Sequence, residues 1–282
     1  MTESFAAEEA EDVKPATNQT NLQLIVNDLN FLIPLLQLFP KVYSLWNYRL
    51  WLLEQAEAVL KDKQVTELWE KELVLVTTML AKDGRNFHGW GYRRRIVTQI
   101  ERLSGSTMAE AEFAYTTKMI RAALHNFSAL HYRSKLIPRL LDERKANGHQ
   151  RRRMLDDEFD LMQNALIDPN NQSPWFYHQF LMSTIAPDVQ RESAIVLDLT
   201  TEERIAYYER EIERIEEILE TDDDCKWVYE ALLRYSTELN LLHNQTAPTS
   251  ASKLRLWLSK LRQLDCFRAG RWNDLQRELQ LD

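Results

Sequence analysis

PKVYSLWNYRLW (40–51) and GRNFHGWGYRRR (84–95) share one frame: an aromatic residue, a Trp three positions on, a Tyr two later, then an Arg. The frame continues in HNFSALHYRS (125–134), with Leu130 in the Trp place, and in PNNQSPWFYHQF (169–180), with Trp175. The anchors Trp46, Trp90, Leu130 and Trp175 are spaced by 44, 40 and 45 residues. Two positions after each anchor stand Tyr48, Tyr92, Tyr132 and Tyr177. One position further stand Arg49, Arg93, Arg133 and His178. Tyr43, Phe87 and Phe127 precede their anchors by three, and Gln172 departs from that rule. A weaker fifth copy, CKWVYEALLRY (225–235), aligns on Trp227 with Tyr229 following and Glu230 in the Arg place.

A period of 40–45 residues holds two helices of about four turns each and two short loops. The segments between anchors read as helices. Leu68, Leu73, Val76 and Leu80 recur at helical spacing, as do Phe113, Met119 and Leu124, and then Ile205, Tyr208, Ile212, Ile215 and Leu219. Breaks fall at Asp83-Gly84, His125-Asn126 and Asp168-Pro169-Asn170, where Asp or Asn caps the following helix. The fold class is therefore all-α. We expect an α-solenoid, a right-handed superhelix of antiparallel helix pairs, with about five repeats. Residues 1–20 read as a disordered acidic tail, and 21–282 as a single α-helical repeat domain.

One large aromatic pair per repeat forms a continuous seam between neighbouring units, and the Arg beside it lies over the seam and pairs with an acid. Trp46, Tyr48, Arg49, Trp90, Tyr92, Tyr132, Arg133, Trp175 and Tyr177 are read in this structural role.

The bulk composition agrees with helices. With 6 Gly and 8 Pro in 282 residues the chain is poor in turn formers. Its net charge of -8 disfavours nucleic acid as a partner. Cys225 and Cys266 are far apart and lack neighbours at ligand spacing, so their thiols build no zinc site, and no metal is expected in this chain. There is no apolar run of transmembrane length and no signal-peptide pattern, and a cytoplasmic protein is expected.

The four copies resemble the repeat of protein prenyltransferase α subunits. NFSALHYRS, DPNNQSPWFYH and CKWVYEALLRYS look most like the branch that serves Rab geranylgeranyltransferase. The resemblance covers about residues 22–240. It implies an α subunit wrapped around a β subunit that carries a zinc ion and most of the lipid pocket. The enzyme of that branch moves geranylgeranyl from geranylgeranyl diphosphate to C-terminal cysteines of Rab GTPases, presented by a Rab escort protein. Where the family has a further repeat before the one at Trp46, residues 1–20 are acidic and featureless.

The same resemblance implies the site. The Lys of the Pro-Lys-x-Tyr segment, Lys41, reaches the diphosphate and stabilises it as leaving group, with Tyr43 beside it. The corresponding slots of the other copies hold Arg85, His125 and Asn170. His88 and Arg93 are either lining of the same cleft or hydrogen-bonded members of the seam. In the α subunit of farnesyltransferase and geranylgeranyltransferase type I, a Gln follows the Tyr and holds the substrate carboxylate. Ser44 is too short for that, which argues for the Rab branch. The rivals are that farnesyltransferase-type subunit and a non-catalytic helical-repeat scaffold. The basic stretch ERKANGHQRRRM (143–154) reads as a solvated inter-repeat loop before an anion site.

Overall fold

A computed structural model describes residues 14–243 and 248–281. Residues 1–13 of the expected acidic tail lie outside the described residues. The helices are α1 (Lys14–Leu38), α2 (Tyr43–Glu57), α3 (Asp62–Lys82), α4 (Phe87–Ser104), α5 (Ala109–Ala122) and α6 (Phe127–Glu143). They continue as α7 (Gly148–Ala165), α8 (Gln172–Ser183), α9 (Thr201–Thr221), α10 (Lys226–His243), α11 (Ala251–Leu264) and α12 (Ala269–Glu278). No strand occurs among the described residues. The all-α expectation of consecutive helix pairs holds: α1 packs on α2, α3 on α4, α5 on α6, α7 on α8, α9 on α10 and α11 on α12.

The repeat region, read from sequence as one domain over 21–282, divides into two compact units. The first runs to Met108 and holds the pairs α1–α2 and α3–α4. The second runs from Ala109 and holds the remaining four pairs.

Three helix starts are set by asparagines: Asn126 at its expected break, and Asn86 and Asn171 just beyond theirs. Asn86 Oδ1 accepts from the backbone N–H groups of His88 and Gly89. Asn126 Oδ1 accepts from Ala129 N–H, and Asn171 Oδ1 from Ser173 N–H. Each bond satisfies a donor that the helix itself leaves unpaired. At the other end of α4, Gly105 takes the left-handed conformation, φ 65°, that ends helices without a Cβ clash. Within the α3–α4 pair a Cβ on Gly89 would come to 3.0 Å from Leu80 Cδ2, so the pair closes over a residue without a side chain.

The buried stripes differ from the apolar periodicity. In α3 the buried residues include Val65, Trp69, Glu72 and Val76, while Leu68 and Leu73 are half-buried. In α5 they include Glu112, Thr116 and Ile120, while Phe113 and Met119 are half-buried. Val76 and Leu80 are buried as their spacing implies, but an acidic side chain joins the interior in each helix, Glu72 in α3 and Glu112 in α5. Helix α9 buries Tyr208, Ile212 and Ile215 as its spacing implies, and it buries Glu211 with them.

The fifth repeat is also re-registered. Cys225 immediately precedes α10, in the place that Asn86 takes before α4, and the anchor is Tyr229 rather than Trp227. Tyr229 donates its hydroxyl to Asp223 C=O at 2.8 Å, six residues back, just as Trp90 Nε1 donates to Gly84 C=O at 2.8 Å. The turn geometry, not the size of the aromatic ring, fixes the anchor.

Candidate functional site

The indole of each anchor ties its helix to the turn before it. Trp46 Nε1 donates to Pro40 C=O at 2.8 Å, and Trp175 Nε1 to Pro169 C=O at 2.7 Å. Each of these carbonyls takes a second donor from the next repeat: Asn86 Nδ2 at 2.9 Å on Pro40, and Cys225 Sγ at 3.1 Å on Pro169. The Pro40 turn is therefore held both by its own helix and by the residue that caps α4. This clamp brings the starts of α2 and α4 to one edge of the first unit.

Lys41 stands on that clamped turn. Its side chain is 79% exposed, and Nζ lies 3.7 Å from Asp83 Oδ2. Asp83 Oδ1 accepts from the Arg85 backbone N–H at 3.2 Å. Tyr43, the first residue of α2, is 64% exposed, and Phe87, the first residue of α4, is 73% exposed. Half-buried His88 meets the Phe87 ring nearly edge-on, with centroids 5.6 Å apart. The edge thus presents an ammonium, a phenol and an imidazole on short, fixed backbone. Arg93 is not brought to it. Its guanidinium is buried within the α3–α4 pair, where Nη1 donates to Thr77 Oγ1 at 2.7 Å.

The seam residues instead build a buried polar triad that recurs. Arg49 donates through Nε and Nη2 to the two oxygens of Glu72, each at 2.6 Å, and Tyr92 donates its hydroxyl to Glu72 Oε2 at 2.6 Å. In the second unit Arg133 makes the same fork on Glu158, at 2.8 and 2.6 Å, and Tyr177 donates to Glu158 Oε2 at 2.7 Å. Burial first, and then the adjacent glutamate charge, push the Tyr92 and Tyr177 phenols well above their ordinary range. Such groups are spoken for, and the triads hold helices together. The acids were not legible as a class in the sequence. Their signal is a Glu standing 20 residues before Tyr92 and 19 before Tyr177.

Of the other seam residues, Trp46, Trp90, Tyr132 and Trp175 are buried. Tyr48 is a correction. It is 43% exposed, donates to Asp28 Oδ2 of α1 at 2.7 Å and stacks on Trp51 with centroids 5.7 Å apart. Tyr92 reaches a buried acid already forked by an Arg, whereas Tyr48 meets an acid on the rim of α1. The fourth copy carries His178, whose Nε2 lies 3.1 Å from Glu211 Oε2 and whose Nδ1 lies 3.0 Å from the Tyr235 hydroxyl.

The basic stretch over 143–154 is a loop only up to Asn147, since Gly148 opens α7 and Arg151 is buried, and its charge is largely neutralised. Arg144 pairs with Glu110, Arg151 with Asp142, and Arg152 with both Asp198 and Glu203. Among the described residues no group of three or more His, Cys, Asp or Glu side chains gathers as metal ligands. Nor is any described helix long and apolar enough to cross a membrane.

Residues 25–56, 69–100, 109–140 and 155–185 match the family described as protein prenyltransferase alpha subunit repeat. The chain is 36% identical over 217 residues to the protein of Schizosaccharomyces pombe named geranylgeranyl transferase type-2 subunit alpha, which covers 75% of this chain and 62% of that one. Proteins of the same name are 36% identical over 151 residues in Saccharomyces cerevisiae and over 167 residues in Homo sapiens. These cover 53% and 58% of this chain, and 44% and 27% of theirs. The chain therefore spans less than two thirds of the length of these relatives. A chain of the solved structure titled Candida albicans protein geranylgeranyltransferase-I complexed with GGPP superposes with a TM-score of 0.60 at 18% identity, covering 90% of this chain and 72% of that one. At that identity the likeness is one of fold.

Proposed function

Because the chain belongs to the protein prenyltransferase alpha subunit repeat family, we propose that it serves as the α subunit of a heterodimeric Rab geranylgeranyltransferase. In this reading a β subunit supplies the zinc ion and most of the lipid pocket, and an escort protein presents the Rab GTPase. The relatives' shared name, geranylgeranyl transferase type-2 subunit alpha, supports the lipid and the branch. Ser44, exposed and short where a farnesyltransferase-type subunit has its Gln, supports the same branch.

One observation carries the chemistry: Lys41 holds an exposed ammonium on a turn clamped from both sides. Transfer breaks the bond between the prenyl carbon and a diphosphate oxygen while a cysteine sulfur bonds that carbon. Negative charge builds on the departing diphosphate, and a fixed cation stabilises it more in the transition state than in the ground state. Lysine suits the task as a compact charge on a long stem. Tyr43 and His88 are the neighbouring donors on the same edge, whereas buried Arg93 acts through the packing of α3 and α4.

The test is co-expression with a candidate β subunit, followed by transfer from labelled geranylgeranyl diphosphate to a Rab in the presence of its escort protein. A one-to-one complex that transfers the twenty-carbon lipid in preference to the fifteen-carbon one is the expected result. Lys41→Ala is expected to keep the complex and slow transfer roughly ten- to a hundredfold, the loss of one charge-assisted contact. An unchanged rate removes Lys41 from the mechanism. A complex without transfer points to the scaffold role, and the absence of a complex overturns the reading.

A further inference from the structure

We propose that Asp83 is a displaceable counter-ion for Lys41, one that holds the ammonium until diphosphate takes its place. The inference rests on the reading of Lys41 as the diphosphate cation. Three features carry it. Asp83 is fixed rather than free: its backbone C=O accepts from Asn86 N–H at 3.1 Å and Oδ1 accepts from Arg85 N–H at 3.2 Å, which leaves Oδ2 turned to Lys41. The two turns keep their spacing because Asn86 Nδ2 bonds Pro40 C=O, next to Lys41. The pair itself is loose, 3.7 Å between Nζ and Oδ2, with the lysine mostly in solvent.

An exposed pair of this kind contributes little. It is strong enough to bias a flexible stem and weak enough to lose to a ligand that offers several anionic oxygens at once. A rigid buried partner, such as Glu72 is to Arg49, would not let go. The cost of displacing Asp83 falls on every anion that binds Lys41. A singly charged anion offers little more than the carboxylate already there, so the counter-ion biases the site towards diphosphate.

The experiment titrates inorganic diphosphate calorimetrically into the heterodimer carrying wild-type chain, Asp83→Asn, Lys41→Ala and the double variant. Asparagine keeps an oxygen for the Arg85 N–H, so the turn is retained. We expect Asp83→Asn to tighten diphosphate binding about two- to fivefold, the scale of one exposed ion pair. The gain should vanish when Lys41 is already Ala, and Asp83→Glu should restore near wild-type affinity. Steady-state kinetics should show a lower KM for geranylgeranyl diphosphate with Asp83→Asn. An equal gain in both backgrounds would mean that Asp83 acts only as a distant charge and would overturn the proposal. Weaker binding by Asp83→Asn would overturn it as well, making the carboxylate a support for the lysine. If Lys41→Ala leaves diphosphate affinity unchanged, it is the role of Lys41 itself that fails, whatever Asp83 does.

Discussion

Arg133 and His178 occupy the same place in successive repeats of the second unit, yet they solve the same problem differently. Arg133 forks onto Glu158 with two bonds, adds one to Thr117 Oγ1 at 2.8 Å and lies 3.8 Å over the Phe113 ring. Glu158 has that one guanidinium and the Tyr177 hydroxyl. His178 gives Glu211 a single contact, and the second carboxylate oxygen is served by Arg210 Nε at 2.9 Å and Arg214 Nη1 at 3.0 Å. Burial pushes the Glu211 carboxyl up, but the hydrogen bond from His178 and the two arginines outweigh it and hold the group below the ordinary carboxylate range. A buried acid faces Arg49, Arg133 and His178 alike. The cation is interchangeable once charge arrives from elsewhere on α9.

Removing the acid at each site separates the two arrangements most strongly. Glu158→Ala strands a buried guanidinium and a buried phenol, and should destabilise the chain by about 3–5 kcal/mol. Glu211→Ala should cost less, about 1–3 kcal/mol, because Arg210 and Arg214 keep Asp156 and Asp160 as second partners. Urea unfolding followed by far-ultraviolet circular dichroism reads both. Equal losses would show that the extra arginines contribute nothing at Glu211.

A smaller effect separates the interior from the rim. Tyr177→Phe removes a buried donor from a buried carboxylate, and about 1–2 kcal/mol should be lost. Tyr48→Phe removes only the exposed bond to Asp28 and should stay within about 0.5 kcal/mol. The same unfolding curves decide. A comparable loss at Tyr48 would mean that the rim pair with Trp51 carries more of the first unit than its exposure implies.

The recurring Trp-x-Tyr-Arg frame made the helix pairs legible, because a Trp at one place per repeat has few uses other than a packed seam. The caps were legible only in part: Asn126 stands at its break, whereas Asn86 and Asn171 cap from just beyond Asp83-Gly84 and Asp168-Pro169-Asn170. The buried acids were not. A Glu in a charged amphipathic helix reads as solvent face, and only its recurrence before the tyrosines gives Glu72 and Glu158 away. Tyr48 and Tyr92 share one local frame, so nothing in the sequence distinguishes them. Burial depends on which helix lies across each ring. In the fifth copy the larger Trp227 masked the anchor, because the turn needs only a donor that reaches back six residues, and Tyr229 supplies it. Lys41 stood out as the departure from its repeat. Its neighbour Asp83 did not, because the pair joins turns of different repeats.

The least effect on stability, and the most direct electrostatic reading, comes from a half-buried acid that shares the fork geometry of Glu158. Glu203 accepts from Arg152 Nε at 2.7 Å and Nη2 at 2.9 Å, and closes the capping box of α9 by accepting from Thr200 N–H at 2.9 Å. The Arg152 bonds, joined by the backbone bond from Thr200, lower its pKa to about 2 from the ordinary 4.5. The folded value lies below the unfolded one, so the pair's contribution is fully present above about pH 4.5 and is lost as pH falls from there towards 2. Water and salt reach this carboxylate, which is 36% exposed, so the contribution should shrink as ionic strength rises. Carbon-13 titration of the Glu203 carboxyl should still find it ionised at about pH 3. A midpoint near the ordinary value would mean that Arg152 does not hold the cap in solution, and that a fork of this kind orders a carboxylate only when it is buried, as at Glu158.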